Sequence, residues 1–117
     1  MGDREAVLDA LGDRTRREIL EVLRAGPLPV GAIADRLTVG RPAVSQHLKV
    51  LKLAGLVSDE AVGTRRVYRL NPDGLQTLEE YVQSFWSAAL LRYRQAAKRA
   101  GRTAARRVGS EGGPHER

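Results

Sequence analysis

The sequence predicts a mainly α-helical domain carrying one small β-hairpin, an α+β class in which the helices dominate. Three observations predict it. Apolar residues recur in three- and four-residue steps through residues 3–54 and again through residues 75–97. Between these blocks, over residues 56–70, the period falls to two. Gly12, Gly26-Pro27, Gly40, Gly55, Gly63 and Asn71-Pro72 stand at the boundaries, where helices and strands end.

Residues 3–11 form the first helix, with Ala6, Val7, Ala10 and Leu11 on its apolar side. Gly12 breaks it, and Asp13 caps the next helix, residues 14–24, whose core stripe is Ile19, Leu20 and Leu23. Arg14, Arg16 and Arg17 crowd the first turn of that helix, where the dipole disfavours cations. A solvated face partly balanced by Glu18 and Glu21 is the expected reading, and phosphate contact is its rival. Gly26-Pro27-Leu28-Pro29 is a tight connection, and Pro29 leaves the following helix without a hydroxyl or carboxylate cap.

Val30, Ile33, Ala34 and Leu37 then define an amphipathic helix of about two turns. Thr38-Val39-Gly40 links it to a second, where Val44, Leu48 and Leu51 fall at i, i+4 and i+7. Pro42 fits only a first turn, so this helix starts near Gly40 or Arg41, and Gly55 ends it. Its outer side carries Arg41, Pro42, Ser45, Gln46 and Lys49, with no acid among them. Short hydrogen-bonding groups and cations suit base edges and the phosphates that flank them. Two helices joined by a short glycine-containing turn make a helix-turn-helix, in which the second helix enters the major groove. The alternative is an ordinary helical hairpin inside a small core.

The hairpin comprises residues 56–61 and 65–70, with Val62-Gly63-Thr64 at the bend. Tyr68 and Leu70 point inward, and Arg65, Val67 and Arg69 to the other side. Asp59 and Glu60 on the first strand could pair with the arginines of the second, each exposed pair contributing about 0–1 kcal/mol. Arg65 and Arg66 adjoin the turn rather than the strand centres, which favours a basic wing tip reaching a phosphate backbone or minor groove.

Asn71 caps, and Pro72 begins, a long helix. Leu75, Leu78, Val82, Phe85, Ala89, Tyr93 and Ala96 repeat near heptad spacing, with Trp86, Leu90 and Ala97 alongside. Ending at Ala100, before Gly101, it would be roughly 43 Å long, against a radius of gyration near 13 Å for a domain of about this size. Its two apolar rows therefore exceed what its own body can bury, and a second copy is the natural partner. Residues 1–100 thus form the DNA-binding and dimerisation domain. Residues 101–117 are a basic, glycine-rich tail with a composition that favours disorder.

Composition narrows the function further. The chain of 117 residues holds no cysteine, so disulfides, thiolate catalysis and thiolate metal sites are excluded. Lys and Arg outnumber Asp and Glu by 20 to 14, a net charge of +6 that favours a polyanionic partner. No apolar run approaches the roughly 20 residues of a membrane span, and the N-terminus lacks a signal segment, so a cytoplasmic protein without membrane contact is expected. An enzyme needs a nucleophile, base or metal in a convergent pocket, and nothing here supplies one.

In this order of elements the chain resembles the ArsR-type (arsenic-repressor-like) winged helix-turn-helix transcriptional regulators. The matching residues run from Leu11-Gly12-Asp13-Arg14 to Glu18-Ile19-Leu20, then Val30-Gly31-Ala32-Ile33-Ala34. Next come Pro42-Ala43-Val44-Ser45-Gln46-His47-Leu48-Lys49-Val50-Leu51 and Ala54-Gly55-Leu56-Val57, then Gly63 and Tyr68-Arg69-Leu70. The resemblance implies a homodimer joined through the first and last helices, with two recognition helices in successive major grooves of a pseudo-palindromic operator. Members usually repress, and many release DNA on binding a metal ion.

Mapped onto this sequence, the expected DNA contacts are Arg41, Pro42, Ser45, Gln46, His47, Lys49, Arg65 and Arg66. The expected dimer contacts are Val7, Leu78, Val82, Phe85, Trp86, Ala89, Leu90 and Tyr93. The metal-sensing pattern is absent: residues 30–37 hold no Cys or His, and the only histidines are His47 and His115. No metal or other cofactor is expected, which leaves an organic ligand, a partner protein or protein abundance alone as the inducing signal. A winged-helix module that binds protein or RNA is the rival reading, but such modules commonly lose the basic wing and polar face kept here. Leu53 is apolar where the helical wheel predicts exposure, and nothing in the sequence accounts for it.

Overall fold

The structure is a computed structural model that describes the backbone of residues 3–108 and the side chains of residues 3–101. Five helices and three strands follow in the order α1 (Arg4–Leu11), α2 (Arg14–Leu23), β1 (Leu28–Pro29), α3 (Val30–Ala34), α4 (Arg41–Leu53), β2 (Val57–Val62), β3 (Arg65–Leu70) and α5 (Pro72–Val108). The chain divides into two units, Met1–Tyr81 and Val82–Arg117.

The first unit is built on one apolar cluster. Val7 and Ala10 of α1, Ile19 and Leu23 of α2, Ile33 of α3, and Val44, Leu48 and Leu51 of α4 are buried in it. Leu56 and Val57 close it beneath the sheet, with Tyr68 and Leu70 packed at its margin as the strand alternation requires. Val7 is fully buried here, so its expected place on a dimer face is corrected: it faces its own core. Leu78 is also partly buried against this cluster. An α1 stripe of four apolar residues reads the same from sequence whether its partner is the same chain or another.

Asp13 caps α2 as expected, its carboxylate accepting from the Arg16 backbone N–H at 3.1 Å. That N–H, before any side-chain charge, holds the Asp13 carboxyl below its usual range. The arginines beside it depart from the expected solvated face. Arg16 donates Nε to the Ala10 carbonyl at 2.7 Å and Nη2 to that of Asp9 at 3.2 Å, and Arg17 donates to the Leu11 carbonyl at 2.7 Å. These are carbonyls in the last turn of α1; that of Asp9 also accepts from the Gly12 N–H at 3.1 Å, while those of Ala10 and Leu11 are among the four that a helix end leaves without an intrahelical partner. Cations also stabilise that negative end of the dipole. Only Arg14 pairs with Glu18, at 3.5 Å, while Glu21 takes Arg24.

Arg16→Ala should therefore lower stability by about 1.5–3 kcal/mol, the range for hydrogen bonds to a charged group. Arg14→Ala, which loses one exposed pair, should stay within about 0.5 kcal/mol. Urea unfolding of both variants at one protein concentration checks this. Equal midpoints would show that Arg16 caps nothing of consequence.

Several boundaries differ from the sequence reading, among them the first hairpin strand, which runs Val57–Val62 rather than over residues 56–61. Helix α3 stops at Ala34, and the chain reaches Leu37 through tightened turns, with Arg36 N–H donating to Ile33 O and Leu37 N–H to Ala34 O. The link to α4 is correspondingly longer than Thr38-Val39-Gly40. Leu28 and Pro29, expected as plain connection, form a third strand: β1 pairs antiparallel with β3, Leu28 opposite Tyr68 and Pro29 opposite Val67. Proline is tolerated because β1 is an edge strand. Strands β2 and β3 pair from Val57–Leu70 to Val62–Arg65, leaving Gly63 (φ 64°) and Thr64 as a two-residue turn.

The end of α4 is fixed by backbone bonds. Gly55 takes φ 79°, its N–H donates to Lys52 O at 3.0 Å, and Leu56 N–H donates to Leu51 O at 2.9 Å. This is the Schellman arrangement. The freed Gly55 carbonyl accepts from Gly74 N–H at 2.8 Å, and a Cβ at Gly74 would lie 2.5 Å from that oxygen. The first turn of α5 is thereby seated on the corner that ends α4. Asn71 caps α5, its Oδ1 accepting from Asp73 N–H at 3.0 Å, and Arg4 of α1 stacks 4.9 Å above the Tyr81 ring.

Helix α5 does not stop before Gly101 but continues to Val108. One interior glycine costs about 1 kcal/mol relative to alanine, and the alanines and arginines that follow are strong helix formers. The glycine-rich end of the expected tail, residues 109–117 with His115, lies outside the described residues. In the second unit, Val82, Phe85, Trp86, Leu90, Leu91 and Tyr93 are all exposed on the single chain, as is Ala89.

Candidate nucleic-acid interface

The interface is built on α4, which the core holds by Val44, Leu48 and Leu51. Three inward positions at this spacing fix the helix in rotation, so the opposite side must face solvent. Arg41, Pro42, Ser45, Gln46 and Lys49 all emerge there exposed. No carboxylate lies on the helix. Gly40 offers no side-chain cap, so the first-turn N–H groups stay free of one.

His47 sits apart from this group. It is half-buried on the flank toward α2, its Nδ1 3.5 Å from Nη1 of Arg16. The same arginine that caps α1 therefore abuts α4. Val50 and Leu53 continue the outward face toward the C-terminal end of α4, with Leu53 81% exposed. Nothing in the structure explains a leucine at that position.

The wing resolves into two kinds of arginine. Arg66 donates to Asp59 Oδ2 at 3.2 Å, and Lys52 of α4 meets the other oxygen at 2.9 Å. Arg69 pairs with Glu60 at 2.6 Å. Cross-strand pairing therefore holds for Arg66 and Arg69, beside the exposed tip expected of Arg65 and Arg66. Arg65 has no ion pair among the described residues and is exposed beside the turn. The Asp59 side chain is only 7% exposed. The Lys52 hydrogen bond first, then the charges of Lys52 and Arg66, hold its carboxyl below the usual range against the opposing cost of burial. A depressed pKa stabilises the fold above the ordinary carboxylate range, and the contribution is lost as pH falls through the lowered value. Asp59 thus ties the wing to the end of α4; the sequence offers its cross-strand pair with Arg66 but not its bond to Lys52, which lies on a separate element.

Between α3, the first turn of α4 and the wing lies an open cleft of about 430 Å³ that brings Arg41, Arg65 and Arg66 together. Gly31 of α3 also belongs to it, and no pattern in the sequence marks that glycine as functional. Among the described residues, no group of three or more His, Asp or Glu could hold a metal ion, and no helix is long and apolar enough to cross a membrane.

A helix-turn-helix domain family matches residues 11–60, from the end of α1 into the wing. The chain is 58% identical over 86 residues to the HTH-type transcriptional regulator Rv2034 of Mycobacterium tuberculosis, covering 74% of this chain and 80% of that protein. An ArsR-like transcriptional regulator from Rhodococcus superposes with a TM-score of 0.64 at 34% identity, covering 80% of this chain and 92% of the other. The chain belongs to the ArsR-type winged helix-turn-helix transcriptional regulators. A further relative of solved structure is the homodimeric winged helix-turn-helix DNA-binding domain of a Mycobacterium bovis protein. It has a TM-score of 0.59 at 33% identity and covers 74% of this chain and 80% of that one. Within this ArsR-type chain, the matched family segment contains the whole exposed face of α4 and ends at Glu60, before the arginines of the wing.

Proposed function

We propose that the chain acts as a homodimeric repressor that sets one α4 into each of two successive major grooves of a pseudo-palindromic operator. The observation that carries this reading is the acid-free outward face of α4, held in place by three buried apolar residues behind it. Ser45 and Gln46 read base edges, while Arg41, Lys49 and Arg65 contact phosphate. The exposed row on α5 between Val82 and Tyr93 supports dimerisation, as does the homodimeric M. bovis relative. Repression follows from occupancy itself, because a dimer seated on its operator keeps other proteins off the same stretch of DNA. The protein works on chromosomal DNA in the cytoplasm and catalyses no reaction.

The experiment is a gel shift on the DNA upstream of the protein's own gene, with RNA and random duplex as competitors. A complex that resists both competitors is expected. Displacement by RNA at equal mass would favour the RNA-binding module instead.

The inducing signal in this reading is an organic ligand, a partner protein or the protein's abundance alone, because the chain has no thiolate to offer a soft metal. Zinc, cadmium or arsenite at low micromolar concentration should leave operator affinity unchanged. Linkage makes the test two-sided: a metal that weakens DNA binding must bind the complex more weakly than the free dimer. Stoichiometric zinc released on adding operator would contradict the expectation.

A further inference from the structure

The cleft between α3, the start of α4 and the wing has a feature that the exposed face of α4 lacks. Three guanidinium groups from two elements line about 430 Å³, with Asp35 the one carboxylate on its wall. Arg66 is already engaged by Asp59 at 3.2 Å. Arg41 and Arg65 have no ion pair among the described residues, and neither does Asp35. The Arg41 head group lies close against Gly31: a Cβ there would come within 2.5 Å of Nη2 and 2.9 Å of Cζ.

We infer that this cleft seats one backbone phosphate of the bound DNA, gripped jointly by Arg41 and Arg65, and that Gly31 is the positioning residue that makes the seat. The inference rests on the DNA-binding reading above and specifies how one part of that interface is built. Guanidinium groups match phosphate in geometry and charge, and two converging on one phosphate hold it from two directions. The cleft adjoins the N-terminal end of the reading face, where the strand flanking the contacted bases must pass. The net charge of its lining, three arginines against one aspartate, favours an anion.

Gly31 separates folding from binding in a testable way. Alanine at a helical position is favoured over glycine by up to about 1 kcal/mol. The atoms it would displace are the far end of a flexible side chain, so the fold can accommodate it. Gly31→Ala should leave the thermal midpoint unchanged or raised, yet weaken DNA binding on the order of tenfold by moving the Arg41 head group. The log–log salt slope should fall by about one unit for each phosphate that the protein no longer neutralises.

The test uses the full-length protein and the best-binding duplex selected from a random pool, with random duplex as control. Affinities are measured for wild type, Gly31→Ala, Arg41→Ala, Arg65→Ala and the Gly31→Ala/Arg41→Ala double variant. Each duplex phosphate is neutralised singly as the methylphosphonate. The expected result is that Gly31→Ala costs nothing further once Arg41 is alanine. The same phosphate in each half-site should then matter less in both Arg41→Ala and Arg65→Ala. If the two arginine variants reduce the effect at different phosphates, or Gly31→Ala weakens binding equally in both backgrounds, the seat is overturned while the DNA reading stands. The phosphate scan decides the question even if Gly31→Ala fails to fold. A wild-type protein that binds no duplex removes the DNA reading, and the seat with it.

Discussion

Replacing Trp86 with glutamate should convert the protein to a monomer that keeps its helical content and binds its operator at least about a hundredfold more weakly. The size of the effect comes from linkage. Joining two half-site readers makes the second contact intramolecular, and its loss removes about 10²–10⁴ in affinity without altering any protein–DNA contact. Trp86 is 56% exposed on the single chain, and Val82, Phe85 and Tyr93 of the neighbouring row on α5 are exposed as well. A glutamate there costs a lone chain little, because the position is already wet. Buried between two copies, it would place an unpaired charge on each side of an apolar seam. Light scattering at micromolar concentration with circular dichroism reads both halves of the outcome. A wild-type protein already monomeric at that concentration would contradict the proposed interface.

The second large effect divides the DNA contacts by role. Gln46 stands exposed on α4 with a side-chain amide able to pair with adenine. Gln46→Ala should cost about 1–3 kcal/mol on the operator and little on random DNA, narrowing the specificity ratio. Arg65 carries charge at the wing but little base information. Arg65→Ala should weaken both DNAs alike and flatten the salt slope by about one unit. Arg66→Ala should change the slope less than Arg65→Ala, because Asp59 already neutralises Arg66 in the free protein. Salt titrations of each variant on both duplexes check this. Equal losses on operator and random DNA for Gln46→Ala, with the wing variant alone changing sequence preference, would reverse the assignment.

What is legible in the sequence follows from periodicity. Val44, Leu48 and Leu51 at helical spacing, with proline at the start of the helix and glycine at its end, place the exposed polar face on the correct side of α4. Alternation does the same for Tyr68 and Leu70 in the wing. What escapes is made by groups distant in the chain or by elements too short to show a period. A two-residue strand has no alternation to read, so Leu28–Pro29 looks like a loop. Arg16 and Arg17 reach back six residues to cap the preceding helix, a bond that no local charge pattern announces. Val7 shows an apolar face without showing what covers it. Gly31 and Arg41, ten positions apart, meet only because the helix-turn-helix folds one helix against the start of the next.

On the proposed function, two copies of this chain read one two-fold symmetric DNA site. Selection of binding sequences from a random duplex pool, followed by footprinting and the mass of the complex on the selected site, tests this. An inverted repeat is expected, with half-sites centred about one helical turn, or a multiple of it, apart. Protection should be symmetric, and the complex should hold two protomers per duplex. Enrichment of no sequence, or of a single asymmetric site occupied by one protomer, would contradict it.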